Sequence, residues 1–239
     1  MAPTKGFRGM VNKGRAAALA AAALLLAGCD YLRPFEQVCE RRLAPASIRI
    51  ATPVTQLHHD FSQSTAALTT RGANRHALAA GAGAGRVVKG LTEVQLKRSV
   101  SISGSGIVKP LSGRYCTRPE VQVTLAYQPM TVLVSSAQKP GSCEHALTLN
   151  HEMKHMRAYE RYIDELSAEI ESGLQALLGD GIHYFASASE GERALDTKIN
   201  KKIDEIVSAG MIRVQQRQSA IDTPEEYGRL DLMQSKCGS

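Results

Sequence analysis

The chain has 239 residues, 29 basic and 23 acidic, with a formal charge of +6, 43% hydrophobic residues, five cysteines and no tryptophan. Four of the basic residues (Lys5, Arg8, Lys13, Arg15) and none of the acidic ones fall in residues 1–28, so the remainder carries only +2 and the high isoelectric point is no argument for nucleic acid. Few aromatics and no tryptophan leave a carbohydrate-stacking groove without support, and no glycine-rich phosphate motif is complete.

The first element is a targeting segment. A basic n-region precedes the apolar run Ala16 to Ala27, and Leu26-Ala27-Gly28-Cys29 offers a small-residue cleavage site ending in cysteine. It resembles a bacterial lipobox. That resemblance implies a signal peptide over residues 1–28, lipid on Cys29, and a bacterial cell-envelope protein facing the periplasm; Asp30 in the next position slightly favours the inner membrane. No later apolar run reaches the roughly 18–20 residues needed to span a bilayer, so the membrane partner is reached through the lipid alone.

Residues 29–46, with Pro34 and Pro45, read as a tether between lipid and domain, and residues 47–239 as one domain, mainly β over 47–142 and mainly α over 143–239. Ser47 to Phe61 has strand character, and His58-His59-Asp60 reads as strand-end polarity rather than a ligand set. The small, glycine-rich stretch Ala77 to Gly90 reads as a loop. Gly90-Leu91-Thr92 leads into Val94 to Val100, followed by the alternating Ser101 to Val108. Glu120 to Tyr127 alternates with period two, Gln128-Pro129 breaks it, and Thr131 to Val134 resumes, which predicts a hairpin.

With Cys29 lipidated, Cys39, Cys116, Cys143 and Cys237 form an even set suited to disulfides in an oxidising compartment. The predicted hairpin brings position 116 opposite about 141 or 142. The expected pairs are therefore Cys116 with Cys143 and, by elimination, Cys39 with Cys237. A metal role for the cysteines is disfavoured because no C-x-x-C pair occurs.

Lys139-Pro140-Gly141-Ser142 is a turn, after which a proline-free stretch to Leu178 predicts one long helix ending before Gly179-Asp180-Gly181. It carries His151-Glu152-Met153-Lys154-His155, an H-E-x-x-H motif. On a helix the two histidines share a face and can hold a zinc ion, and the glutamate can serve as general base. Tyr162, Leu166, Ile170 and Leu174 continue as an apolar stripe. A second helix from about Ser189 repeats the pattern with Leu195, Ile199, Ile203, Ile206, Gly210 and Val214, so the two should pair as an antiparallel hairpin. Lys154 and Arg157 depart from the uncharged surroundings usual for the motif.

Two histidines need a third protein ligand. Arg161 occupies the position where a metzincin would have histidine, and Glu160, Glu169 and Glu171 lie on the wrong face or too far along the axis. A straight helix hairpin would bring Asp222-Thr223-Pro224-Glu225-Glu226-Tyr227 toward the histidines. The expected ligand is Glu225, with Asp222 or Glu226 as alternatives and Tyr227 as a donor to an oxyanion. Thr223-Pro224-Glu225-Glu226 also reads as a helix cap.

The Gly90-Leu91-Thr92 segment, the strands Val121 to Val134, the run GSCEHALTLNHEMKH and DTPEEY together resemble a group of bacterial envelope proteins described as secreted zinc proteases. The resemblance implies a zincin-like α+β fold, an N-terminal antiparallel sheet followed by the helix hairpin, and a peptidase acting on peptide or protein substrates of the envelope. The alternative is a non-catalytic envelope lipoprotein that binds a partner through its helix hairpin.

Overall fold

A computed structural model of the protein describes residues 33–76 and 87–238. The signal segment, Cys29 and Asp30, and most of the glycine-rich stretch lie outside the described residues. The elements in chain order are α1 (Phe35–Arg42), β1 (Ser47–Ala51), β2 (Leu57–Asp60), α2 (Thr65–His76), β3 (Gly90–Ser103), β4 (Gly106–Val108), β5 (Tyr115–Thr117), β6 (Glu120–Val134), α3 (Cys143–Leu178), β7 (His183–Phe185), α4 (Ala188–Ile221) and α5 (Pro224–Ser235).

The fold mixes α and β, but its larger sheet is not the antiparallel one expected. β6 is the central strand, with β3 antiparallel along one edge and β1 and β2 parallel along the other, β1 beside Glu120–Thr124 and β2 beside residues 130–133. Parallel neighbours need long crossovers, and the chain between β2 and β6 supplies one, with α2 within it. The expected hairpin break at Gln128-Pro129 is instead interior to β6. There Gln128 and Pro129 together oppose Gln95 of β3, a bulge between the Leu96–Tyr127 and Val94–Met130 pairs, and on the other edge they fall between the segments bonded to β1 and β2. Proline has no N–H to give a ladder, so a bulge is where a strand can hold one.

Because no hairpin forms there, the disulfides differ from expectation. All four cysteines are paired, but as Cys39–Cys116 and Cys143–Cys237. The first is fully buried with Phe35 and Leu43, so the span read as a tether contains a helix docked on the domain. The closed loops span 77 and 94 residues, for which the chain-entropy model gives about 4–5 kcal/mol each.

The long helices follow their sequence closely. Ser142 caps α3 by accepting from the His145 amide, and Gly179 ends it at φ +57°. Tyr162, Leu166, Ile170, Leu174 and Leu178 on α3 meet Leu195, Ile199, Ile203 and Val214 on α4, and the α3 side of this core continues into Val121, Val123, Leu125, Tyr127 and Met130 of β6. Fourfold spacing on both helices gives matching ridges. The smaller sheet, β4-β5-β7, packs on the first turns of α4, where Phe35's neighbour Tyr184 and the Gly191–Phe185 approach lie. No helix among the described residues is long and apolar enough to cross a membrane.

Candidate metal centre

α3 crosses β1, β3 and β6, and its third and fourth turns carry the motif into a buried setting: His151, Glu152 and His155 are each less than one-tenth exposed. Nε2 of His151 and Nε2 of His155 lie 3.4 Å apart, and Oδ1 of Asp222 stands 3.2 Å from the first and 3.1 Å from the second. His151, His155 and Asp222 can thus hold a metal ion, and they are the group of three such side chains found among the described residues.

Two features test the fit. Bonds of about 2.0–2.1 Å at tetrahedral angles place neighbouring donor atoms about 3.3 Å apart, which is the size of this triangle. The second feature is where the imidazole protons belong. His155 Nδ1 faces Oε1 of Gln218, whose amide nitrogen is turned toward the His155 carbonyl, and His151 Nδ1 faces Oε1 of Glu226 at 3.4 Å. Both Nδ1 atoms confront acceptors, so each ring can carry its proton there when Nε2 binds a metal. The two Nε2 lone pairs and the Asp222 carboxylate oxygen then converge without a proton between them, an arrangement that a cation satisfies.

The charges around the site agree. Burial raises the carboxyl of Asp222, but in the metal-free protein the His151 and His155 rings, when protonated, and the Tyr227 hydroxyl at 2.7 Å outweigh it, and its pKa falls well below the ordinary carboxylate range. For His155, burial alone would lower the pKa; Asp222 and Glu152 overcome it and the net shift is upward. Glu152 is raised, chiefly by burial, against the pull of the two histidines and Thr92. Glu226 is lowered to about 2, first by the Arg229 guanidinium and despite some burial, with Lys154 adding to it. Lys154 bonds Glu226 at 2.5 Å. The lysine that departs from the usual motif is therefore spent on fixing the carboxylate that receives His151.

Glu152 has its own seat. The Thr92 hydroxyl lies 2.9 Å from Oε2 and 3.0 Å from the Glu152 carbonyl. A Cβ on Gly90 would come within 2.6 Å of Oε1 and of the Thr148 methyl, so the glycine leaves the space the carboxyl fills.

The structure brings together His151, Glu152, His155 and one of the three acidic alternatives. That residue is Asp222, at the C-terminal cap of α4, while Glu226 stands behind His151. Glu225 is outside the triangle: it occupies the exposed first turn of α5, beneath a cap in which Thr223 accepts from the Glu226 amide. Tyr227 binds Asp222 rather than facing an open position. His58 and His59 are exposed on β2 and Asp60 closes a turn with Ser62 and Gln63. Sequence reasoning does not reach Gln218 or the role of Thr92; the first lies on α4's polar flank at the level of the motif, the one signal that points to it. No family model, curated protein or solved structure matches this chain.

Proposed function

We propose that the protein is a zinc metallopeptidase of the bacterial cell envelope, anchored by lipid on Cys29, slightly favouring the inner membrane through Asp30, and zincin-like in its pairing of an H-E-x-x-H helix with a sheet. The observation that carries this reading is the convergence of His151 Nε2, His155 Nε2 and Asp222 Oδ1 within 3.4 Å of one another, with each Nδ1 facing an acceptor, Glu226 or Gln218. Two imidazoles and one carboxylate are a ligand set of catalytic zinc sites, which keep a further position open.

Zinc held there would supply a Lewis acid that acidifies a water and polarises a carbonyl. The remaining work falls to the chain. His151 and His155 are locked in orientation by Glu226 and Gln218, and Asp222 by Tyr227. Glu152, raised by burial and held through Oε2 by Thr92, is the proton carrier: its carboxylate takes a proton from the attacking water and returns it to the leaving amine. β3, which places Gly90 and Thr92 beside Glu152, has no strand on its outer edge among the described residues, so an extended peptide can add there. Two disulfides accord with an oxidising compartment.

The test pairs metal content with activity. The purified protein should hold about one zinc per chain and lose it on His155→Ala. Glu152→Gln should keep the zinc and hydrolyse no peptide; hydrolysis retained in that variant would refute the assignment.

A further inference from the structure

The metal centre and the start of the domain lie at opposite ends of the molecule. β6 runs from Glu120, beside the small sheet, to Val134, whose partner Gly90 abuts Glu152. From His155 to the end of α3 at Leu178 is about 35 Å of helix, and just beyond that end β7 joins the small sheet. α1 is fastened to this remote end by Cys39–Cys116, with the Phe35 and Tyr184 rings 6.4 Å apart. Cys29 precedes Phe35 by six residues, at most about 20 Å of chain.

The same end carries an unusual loop. Between β4 and β5, Leu111 is fully exposed and adopts φ +69°, a left-handed conformation in which a large aliphatic side chain is uncommon. Val108 is half exposed beside it. Residues 104–119 include Lys109, Arg114 and Arg118 and no acidic residue. The acidic groups facing them are Glu36 and Glu40 of α1; Glu36 is taken by Arg114 at 2.9 Å. Lys109 and Arg114 also lie over the Phe35 ring, at 5.9 and 5.4 Å, which sets the loop directly beside the helix nearest the lipid.

We infer that this end is a membrane-docking surface for anionic lipid: Leu111 and Val108 enter the headgroup boundary while Lys109 meets the phosphates. The inference rests on the reading of Cys29 as the lipid anchor. A single short tether leaves orientation free, and a second contact removes that freedom. The protein then stands on its small sheet and holds the metal centre away from the bilayer by the length of the helix pair. Its substrate is accordingly a chain segment out in the envelope space rather than one at the lipid surface.

The test uses the full-length protein processed in a bacterial host, purified in detergent and reconstituted into phosphatidylethanolamine–phosphatidylglycerol vesicles. An environment-sensitive fluorophore is placed at Leu111→Cys or, as a control near the metal centre, at Glu225→Cys. Insertion to about 5–10 Å predicts quenching by lipid-borne quenchers at least about threefold stronger at 111 than at 225. Equal quenching at both sites in vesicle-bound protein overturns the inference, as does a label at 111 shielded from solvent but untouched by lipid quenchers, which would assign the tip to a second copy of the chain. Intact mass reports separately on the anchor. An acyl-free protein that still floats with anionic vesicles, and releases on Leu111→Asp, supports the docking surface without the anchor; an acyl-free protein that does not float overturns both.

Discussion

Asp222→Asn is the most direct perturbation of the centre. The substitution keeps the size of the side chain and an oxygen for the Tyr227 hydroxyl, but removes the charge shared by His151 and His155. Outer partners of a metal site typically cost 10–100-fold in affinity when lost, so about 100-fold is a floor for a direct ligand. A ligand present at 1,000 times its dissociation constant stabilises the fold by about 4.1 kcal/mol, and after a 100-fold weakening by about 1.4 kcal/mol. The difference, about 2.7 kcal/mol, corresponds to roughly 5–11 °C for a domain of this size. Melting curves should be recorded for both proteins in zinc and in chelator. The quantity to compare is the zinc-induced rise in each, since the chelated baseline carries any change in the metal-free network. An equal rise in both proteins would refute the role of Asp222 and with it the geometry on which the centre is built.

Glu225→Ala should leave metal stoichiometry and the zinc-induced rise unchanged, because that side chain lies outside the triangle; loss of metal would restore it as a ligand. Gly210→Ala places a methyl 2.1 Å from the Tyr162 hydroxyl, an overpacking expected to cost about 1–3 kcal/mol by denaturant unfolding. Tyr162→Phe removes that buried hydroxyl, which has no hydrogen-bond partner among the described residues, and should return most of the loss in the double variant; no recovery would refute the contact. Cys143 is exposed, whereas Cys39 and Cys116 are fully buried. Mild reductant should therefore open Cys143–Cys237 first, freeing the end of α5 and weakening metal retention. Mass mapping of alkylated thiols with parallel metal analysis would show it, and reduction with no release of metal would separate the two.

How far the sequence can be read depends on whether a signal is local. The stripes of α3 and α4, the Ser142 cap and the Gly179 stop lie within single helices and are legible. The histidines and Glu152 follow from spacing alone. What fails requires knowing which distant segment meets which. Gln128-Pro129 resembles a turn unless β3 is known to bulge opposite it, and the expected disulfide pairing fails with that hairpin. Counting residues across a straight helix pair puts position 155 opposite about 213, whereas Gln218 meets it. The difference arises because the first turns of α4 pack on β5 and β7, beyond the end of α3, as the close approach of Gly191 to Phe185 and Tyr115 shows. That shift of about one turn is what exchanges Glu225 for Asp222.

The order of strands around β6 also bears on synthesis. Every strand of the larger sheet lies before residue 135, so the sheet can close while the chain is still emerging. Its apolar face, including Val121, Val123, Leu125 and Tyr127, is covered by α3, which is complete only at Leu178. That face therefore stays bare until the 44 residues 135–178 have also emerged. During this interval the nascent sheet is open to aggregation, and a holdase that binds it then would raise the yield of folded protein.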